Sequence, residues 1–256
     1  MRYLAPPALI IFVAAIFAAG AFSQTPTPGP FPECPSAQNQ MFGTEGDDDI
    51  EGTPVGDFIG ALEGNDTVDG AAGDDCLFLA QGTDTGLGSA GNDYLLGQDD
   101  DDTLSGGSGN DRLDGSAGDD VLRGNGGGDK LRGAAGADSL SAGTGNDTAQ
   151  GNAGQDKVAG GPGNDRVAGQ GANDLVSGNS GRDRVYGGAG NDLVKGGPGA
   201  GDLVAGQGGN DRVVTRDDTP DDIARCGDGR DVAVIDATDR AADDCEVVRV
   251  AGGLVP

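Results

Sequence analysis

The sequence predicts an all-β protein: a parallel β-solenoid built from nine-residue repeats, with two repeats in each coil and little or no helix outside a short N-terminal segment. Three observations predict this fold. Aspartate recurs at every ninth position over most of the 256 residues. Glycine recurs two and five residues before that aspartate, and an aliphatic residue recurs two residues after it. A fixed period of this kind is typical of stacked repeat architectures.

The N-terminal segment, residues 1–23, has the pattern of a secretory signal peptide. Met1 and Arg2 precede an uncharged apolar stretch that ends in small residues, as cleavage sites do. An uncleaved membrane anchor is the alternative, although the apolar stretch is short for a bilayer span. Residues 24–42 are rich in proline and predict a linker or N-terminal cap. We expect a secreted, extracellular protein, free or attached to the cell surface, with no membrane span after cleavage.

The repeated aspartate keeps its phase with the other repeated positions. Of 19 units, 15 have glycine two residues before the aspartate and 16 have glycine five residues before it. In 17 units the residue two positions after the aspartate is Ile, Leu or Val. The phase is unbroken from Asp48 to Asp192, and one inserted residue then precedes Asp202 and Asp211. A true structural repeat therefore spans most of the chain.

Each nine-residue unit predicts one turn and one short strand. The residues Gly-x-x-Gly-x-Asp favour a turn, because glycine adopts left-handed backbone angles without a steric penalty. The next three residues favour a strand whose aliphatic middle residue points inward and whose neighbours point outward. Two such units close one coil. Stacked coils then form two parallel sheets around a thin aliphatic core.

The composition indicates that this fold needs bound cations. The formal net charge is −27, with 38 Asp, 5 Glu and no His. Leu, Ile, Val and Phe supply only 49 residues, which is typical of disordered chains. So negative a surface argues against nucleic-acid binding, and the lack of histidine excludes any mechanism that requires one. Aspartates stacked about 4.8 Å apart repel one another unless a cation lies between them.

The potential metal ligands in the repeats are mainly oxygen atoms, and this favours calcium as the cation. Calcium takes six to eight oxygen ligands from carboxylates and backbone carbonyls, and glycine-rich turns offer both. The lack of histidine and the few, scattered cysteines argue against zinc or copper. Nine of the 16 Lys and Arg residues lie at outward strand positions, away from the aspartate-bearing turns. The sequence therefore predicts multiple Ca²⁺ ions between the turns of successive coils.

Residues 106–114 (GGSGNDRLD) are a clean unit, and such units resemble the glycine-rich nonapeptide of the repeats-in-toxin, or haemolysin-type calcium-binding, family. The resemblance covers residues 43–214 and implies a parallel β-roll with calcium between successive coils. By motif position it implies glycine carbonyls and these carboxylates as ligands: Asp48, Asp57, Asp66, Asp75, Asp93, Asp102, Asp111, Asp120, Asp129, Asp138, Asp147, Asp156, Asp165, Asp174, Asp183, Asp192, Asp202 and Asp211.

Some units depart from the motif. The turns before Asp57, Asp102, Asp174 and Asp202 have Val55, Asp100, Ala172 and Ala200 in place of the second glycine. The unit of Asp84 has Leu79 in place of the first glycine and Gly86 in place of the aliphatic residue. We therefore leave Asp84 out of the predicted ligands and expect that a site or an inward side chain is lost there.

Residues 215–256 predict degenerate repeats and a C-terminal cap stapled by a disulfide. Residues 226–234 (CGDGRDVAV) form one unit with Cys226 in the first glycine position. Cys245 follows just over two units later, close to one coil, so we expect it within reach of a Cys226–Cys245 disulfide. Two unpaired buried thiols are the alternative, which an oxidising compartment disfavours.

A second disulfide, Cys34–Cys76, is a hypothesis that rests on an aromatic patch. We expect Cys76 on the outward face in a column with Phe58 and Tyr94, beside Phe78. Residues 31–42 would lie over this patch. The long separation of the two cysteines in the sequence does not by itself fix the pairing.

The function that the sequence favours is calcium-ion binding by a secreted roll whose folding depends on calcium. We expect no enzyme, because no segment outside the repeats is long enough for a catalytic domain. The alternative is an adhesion module that binds anionic polysaccharide through an outer face carrying Arg112, Lys130, Arg132, Arg166 and Arg184. A carbohydrate-active enzyme is the third, less favoured hypothesis.

Overall fold

A computed structural model describes residues 39–217 and 222–250. The predicted signal peptide, residues 24–38 with Cys34, residues 218–221 and residues 251–256 lie outside the described residues. The described residues form 24 β-strands and no helix. The prediction of an all-β parallel solenoid is thus confirmed.

The strands form two parallel sheets of 12 strands each, one from the odd-numbered and one from the even-numbered strands. The odd sheet contains β1 (Asn39–Phe42), β3 (Asp57–Glu63), β5 (Cys76–Gln81), β7 (Tyr94–Asp99), β9 (Arg112–Ala117), β11 (Lys130–Ala135), β13 (Thr148–Ala153), β15 (Arg166–Gly171), β17 (Arg184–Ala189), β19 (Leu203–Gly208), β21 (Ile223–Asp228) and β23 (Arg240–Ala241). The even sheet contains β2 (Asp49–Glu51), β4 (Thr67–Asp69), β6 (Thr85–Ala90), β8 (Thr103–Ser108), β10 (Val121–Gly126), β12 (Ser139–Thr144), β14 (Lys157–Pro162), β16 (Leu175–Ser180), β18 (Leu193–Lys195), β20 (Arg212–Val214), β22 (Val232–Ile235) and β24 (Val247–Val250).

The register between neighbouring strands of a sheet follows the sequence period. Leu122 lies opposite Leu104 on one side and Leu140 on the other, so each neighbour is two repeat units away. One coil therefore contains one odd and one even strand with their two turns. Because equivalent residues of successive coils lie side by side, each repeated position becomes a column along the solenoid.

Most strands are longer than the short strand that the motif predicts. A typical strand, such as Arg112–Ala117, has 6 residues and includes the first part of the following turn. The pairing continues there because the turns of successive coils also stack, as Asn125 opposite Gly143 shows. The glycine-rich segment is thus partly strand, and only its second half reverses the chain.

The core is a double row of aliphatic side chains, one from each strand. Their side chains are almost wholly inaccessible to solvent; the members include Ile59, Leu77, Leu95, Leu113, Leu131, Val167, Val185 and Val204 in the odd sheet and Val68, Leu104, Leu122, Leu140, Val158, Val176, Val194 and Val213 in the even sheet. These are the residues two positions after the repeated aspartates. Each layer contributes only two such side chains, so the hydrophobic core is thin.

Leu79 and Gly86 exchange positions relative to the motif: the aliphatic residue stands at the first glycine position and the glycine stands at the aliphatic position. Gly86 provides no aliphatic side chain, but a Cβ placed on it would lie 3.1 Å from Leu79 Cδ1. Leu79 itself is fully buried. Leu79 thus occupies the space that Gly86 leaves, and the expectation that an inward side chain is lost here is corrected.

The first coils carry a row of stacked aromatic rings on the odd sheet. The ring centroids of Phe42 and Phe58 are 5.9 Å apart, those of Phe58 and Phe78 are 5.1 Å apart, and those of Phe78 and Tyr94 are 5.7 Å apart. Cys76 lies opposite Phe58 and Tyr94, as expected. Its side chain is nevertheless buried, with 1% of its surface exposed. Since Cys34 lies outside the described residues, the Cys34–Cys76 pairing stays a prediction.

The last coils continue both sheets after the regular repeat has ended. Strands β21 to β24 extend the odd and even sheets beyond residue 214. Cys226 and Cys245 form a disulfide with their Cα atoms 5.0 Å apart, which confirms the predicted bridge. The bridge fixes the segment after β23 to β21, one coil earlier.

Candidate metal centre

The repeated aspartates form two columns, one at each edge of the solenoid. The odd column precedes the odd strands, and the even column precedes the even strands. The odd column is Asp57, Asp75, Asp93, Asp111, Asp129, Asp147, Asp165, Asp183, Asp202 and Asp222; the even column is Asp48, Asp66, Asp84, Asp102, Asp120, Asp138, Asp156, Asp174, Asp192, Asp211 and Asp231. All of these residues except Asp48 are buried.

A hydrogen-bond ladder runs along each column. The backbone N–H of each column aspartate from Asp48 to Asp211 donates to Oδ1 of the aspartate one coil later, as Asp111 N does to Asp129 Oδ1 at 2.8 Å. The N···O distances along both columns are 2.7–2.9 Å. The ladder fixes the orientation of each carboxylate from Asp66 to Asp231 and uses one of its two oxygens.

The second carboxylate oxygen is buried without a partner. In 19 column aspartates, from Asp66 to Asp231, Oδ2 is inaccessible to solvent and has no hydrogen-bond partner among the described residues. An unpaired buried charge costs several kcal/mol, so such groups in proteins are paired or coordinate metals. A repeated array of such oxygens fits a row of hard cations.

Backbone carbonyls converge on the same places. A Cβ on Gly88 would overlap Asp93 Oδ2 and lie 2.6 Å from the carbonyl oxygen of Gly106, its equivalent one coil later. Gly160 has the same relation to Asp165 Oδ2 and to the Gly178 carbonyl. The first glycine of the unit is thus needed for space, because a side chain there would fill the gap between the carboxylate and the next coil. We call each such arrangement of Oδ2 and carbonyl oxygen a cradle.

The second glycine of the unit is needed for a different reason. Gly109 has φ of 131°, a region that L-residues avoid. A Cβ on it would also overlap the carbonyl oxygen of Gly91 in the preceding coil. This glycine therefore allows the turns of successive coils to approach closely enough to share ligands.

Comparison with known families agrees with this geometry. Residues 42–213 match the family model of the RTX calcium-binding nonapeptide repeat in eight overlapping segments. The chain belongs to this family. Its repeats are accordingly calcium-binding repeats, and the solenoid is an RTX β-roll. No curated protein matches the sequence.

The column carboxylates of this RTX roll resist ionisation. Burial, and secondly the like charges of neighbouring aspartates, raise the pKa of Asp102 to about 8. The same causes raise the pKa of Asp129 and Asp138 to about 7 and that of Asp111 to about 6. The ladder hydrogen bonds oppose this rise but are weaker than burial. Without a cation, part of each column is therefore protonated near neutral pH, and the remaining carboxylates repel one another.

A second ladder lies on the exposed side of each turn. The residue just before each column aspartate is often Asn or Asp, and its Oδ1 accepts a hydrogen bond from the backbone one coil later. Asn110 N donates to Asn92 Oδ1 at 2.9 Å, and Ala137 N donates to Asp119 Oδ1 at 2.7 Å. The repeat motif did not predict this role, although the frequent Asn at that position was its signal.

The first two predicted ligands differ from the other members of the columns. Thr44 N donates to Asp48 Oδ2 and Thr53 N donates to Asp57 Oδ2, each at 2.6 Å. Both Oδ2 atoms therefore have a protein partner. From Asp66 and Asp75 onward, the remaining predicted aspartates have the buried, unpartnered Oδ2 described above.

Three aspartates outside the predicted ligands also lie in the columns. Asp84 accepts from Asp66 N at 2.7 Å, and its Oδ2 is unpartnered like the others among the described residues. Asp222 and Asp231 accept from Asp202 N and Asp211 N at 2.8 Å and 2.7 Å. The unit of residues 226–234 already signalled Asp231, whereas Asp222 was hidden by the inserted residues before it.

None of the described residues belongs to a helix with the length and apolarity needed to cross a bilayer.

Proposed function

We propose that the chain is a secreted calcium-binding β-roll whose folding near neutral pH depends on Ca²⁺ in its cradles. The observation that carries this proposal is the double row of buried, unpartnered Oδ2 atoms among the described residues. Their repulsion opposes the folded state, while the core offers only two aliphatic side chains for each coil. Calcium binding then supplies folding free energy directly.

The proposed ligands are the column carboxylates and the carbonyl oxygens at the first glycine positions. They comprise the aspartates that the motif predicts from Asp66 to Asp211, with Asp84, Asp222 and Asp231 added. The Oδ2 atoms of Asp48 and Asp57 accept hydrogen bonds from Thr44 N and Thr53 N. These two aspartates become ligands when a calcium ion replaces those hydrogen bonds. An all-oxygen ligand set of this charge suits calcium rather than a transition metal.

Calcium titration of the mature protein tests the proposal. Calorimetry gives the number of ions, and far-UV circular dichroism follows strand formation in the same buffer. We expect many ions for each chain and a strand signal that appears with calcium and disappears in EDTA. A strand signal that EDTA leaves unchanged would refute calcium-dependent folding.

Two adjacent aspartates provide a matched pair of variants. Asp120 is in the even column, with its Oδ2 buried and unpartnered among the described residues, whereas Asp119 is exposed and its Oδ1 serves the outer ladder. Asp120→Asn and Asp119→Asn remove the same charge and keep an oxygen that accepts a hydrogen bond. We expect Asp120→Asn to raise the calcium midpoint of folding several-fold and Asp119→Asn to leave it nearly unchanged. Equal effects would show that only net charge matters.

Several features support export. RTX repeat proteins are typically secreted, and the Cys226–Cys245 disulfide suits an oxidising compartment. We propose removal of residues 1–23 as a signal peptide, with residues 24–42 as linker, 43–214 as roll and 215–256 as cap. Sequencing the N-terminus of protein recovered from the culture medium tests the cleavage. Recovery of an intact Met1 in membranes would indicate an anchor.

A basic stripe on the odd sheet favours a second candidate function, the binding of anionic polysaccharide. Arg112 lies opposite Lys130, and Arg166 lies opposite Arg184. Arg132 contacts Asp114 at 3.1 Å, and the Arg166 guanidinium lies 5.0 Å from the ring centre of Tyr186. Cations at coil spacing on an otherwise acidic molecule suit a linear polyanion.

The even sheet provides the control for this stripe. One variant replaces Arg112, Lys130, Arg166 and Arg184 with Gln; its control replaces Arg123, Lys157, Lys195 and Arg212, which lie on the even sheet. Both variants lose four positive charges. We expect retention on immobilised polyuronate to fall for the first variant only. Equal retention by both variants and the unmodified protein would dismiss this function.

A further inference from the structure

Three carboxylates meet near the C-terminal end of the odd column. Asp202, Asp217 and Asp222 each place a carboxylate oxygen within 4.8 Å of the other two. Asp202 and Asp222 are column members, whereas Asp217 comes from the irregular segment after β20. Within residues 39–217 and 222–250, the other comparable cluster is Cys226, Asp244 and Cys245, whose sulfurs are already joined as a disulfide.

Two carboxylates of this cluster each have a buried oxygen that lacks a hydrogen-bond partner among the described residues. Asp202 is 1% exposed and Asp222 is fully buried, and Oδ2 of each has no hydrogen-bond partner among the described residues. Their Oδ1 atoms are occupied, because Asp183 N donates to Asp202, and Gly201 N and Asp202 N donate to Asp222, all at 2.8 Å. Two fixed and fully desolvated oxygens are thus available to an ion.

Asp217 adds the third charge in a fixed position. Gly199 N donates to its Oδ2 at 3.0 Å, which ties the segment after β20 to the turn before β19. The nearby Arg182 directs its Nε to the Gly201 carbonyl, at 3.2 Å. In the described part of the chain, no Lys or Arg forms an ion pair with Asp202 or Asp222. The charge of these two buried carboxylates is therefore left to a bound cation.

We propose that Asp202, Asp217 and Asp222 form a three-carboxylate calcium site that binds more tightly than the cradles of the regular coils. The proposal rests on the proposed function, since two of its ligands are column aspartates. Asp217 occupies no motif position, so the repeat pattern does not imply this site. A third carboxylate adds attraction for a divalent cation, and calcium affinity rises with the charge count of the ligands.

Calcium titration of Asp217→Asn tests the site. The amide keeps an oxygen for Gly199 N and removes only the charge. We expect the tightest binding step to weaken by about tenfold while the remaining steps and the strand signal at saturating calcium stay unchanged. The control is Asp243→Asn, an exposed position near the same end, which should titrate like the unmodified protein.

The outcomes separate this proposal from the proposed function. If the unmodified protein binds no calcium, both fail. If it binds many ions but Asp217→Asn and Asp243→Asn titrate alike, only the three-carboxylate site is refuted. Should Asp217→Asn fail to fold, the unmodified protein crystallised with calcium and one equivalent of Tb³⁺ decides: we expect an anomalous peak among the three carboxylates, and a peak confined to the regular cradles would overturn the site.

Discussion

The regular coils between Asp93 and Asp192 and the last coils after Lys195 build the same ladder from different sequences. In the regular coils, ladder partners are always 18 residues apart. Later the separation is 19 at Asp183–Asp202, 20 at Asp202–Asp222 and 15 at Asp231–Glu246. The N···O distances nevertheless stay at 2.7–2.8 Å in these last steps.

This difference shows which part of the repeat tolerates change. The strands and the aspartate at their start are fixed by hydrogen bonds to both neighbouring coils. The exposed part of the turn is less constrained, and the inserted residue before Asp202 lies there, among positions 198–201. The last coils add what the regular coils lack: a disulfide and a third carboxylate. Both regions share the aliphatic core and the ladders. We therefore infer that the regular coils depend on calcium for their remaining stability, whereas the last coils also have covalent support.

Removal of calcium should have the largest effect and should act on both regions. We expect amide hydrogens of residues 93–192 to lose their protection completely in EDTA, because the columns then repel without compensation. Hydrogen exchange followed by mass spectrometry measures each region separately. We expect residues 223–250 to lose most of their protection too, since one disulfide cannot replace the missing core. If the regular coils kept their protection in EDTA, calcium would not be what stabilises them.

Loss of the C-terminal disulfide should affect only the last coils. The bridge has a sequence separation of 19, and closing a loop of that length contributes about 3 kcal/mol. Replacing both Cys226 and Cys245 with Ser should therefore raise hydrogen exchange in residues 223–250 in saturating calcium. The regular coils are the internal control. Equal destabilisation of both regions would show that the roll unfolds as a single unit.

Alanine substitutions at two glycines with positive φ compare the steric cost of an added Cβ with its conformational cost. Gly109, in the regular coils, has φ of 131° and its Cβ would overlap the Gly91 carbonyl. Gly201, in the insertion, has φ of 85°, and its Cβ would lie 3.3 Å from Arg182 Nε, the tip of a flexible side chain. We expect Gly109→Ala to cost about 3 kcal/mol and Gly201→Ala about 1 kcal/mol. Thermal unfolding in saturating calcium compares the two, and similar costs would argue against close contact between regular turns.

The pH dependence should be the smallest effect and should be similar in the two regions. Burial raises the pKa of Asp129 to about 7 and that of Asp111 to about 6 in the regular coils, and it raises the pKa of Asp202 to about 7 and that of Asp222 to about 6 in the last coils. With raised pKa values the folded state binds more protons than the unfolded state, so in EDTA its stability falls as the pH rises from about 4 to about 7.

Circular dichroism in EDTA measures this dependence. We expect a partial strand signal near pH 4 that is lost by about pH 7.5, and calcium affinity that increases over the same range because calcium and protons compete. Exchange measurements should place the loss at a similar pH in both regions, because carboxylates with a pKa of about 6 and of about 7 occur in each. A strand signal in EDTA that grows with pH would contradict the proposed burial of the carboxylates.

The repeat made most of the fold predictable. Once Asp, Gly and the aliphatic residue are known to share a nine-residue phase, the parallel sheets, the aliphatic core and the two aspartate columns follow from strand geometry. The Cys226–Cys245 bridge follows for the same reason, since a separation of just over two units brings the chain back to nearly the same place. The charge pattern likewise points to calcium.

Other features were not predictable because they depend on contacts between coils. The motif leaves Asp84 in doubt, yet Leu79 fills the space of Gly86 and the column continues. Asp222 falls out of phase in the sequence but returns to the column because β21 pairs with β19. In each case packing against a neighbouring coil outweighs the local departure from the motif.

The sequence by itself determined that this chain completes a coil with every second repeat and gathers its negative charge at two edges, because period and residue type fix which side chains share a column. The tertiary structure alone decided how each carboxylate is used. From Asp66 to Asp231, it directs Oδ1 to a backbone N–H of the preceding coil and leaves Oδ2 buried without a partner among the described residues. It also brings Asp217 to Asp202 and Asp222. The physical reason is that these orientations are set by hydrogen bonds between residues about one coil apart, which no local sequence pattern encodes.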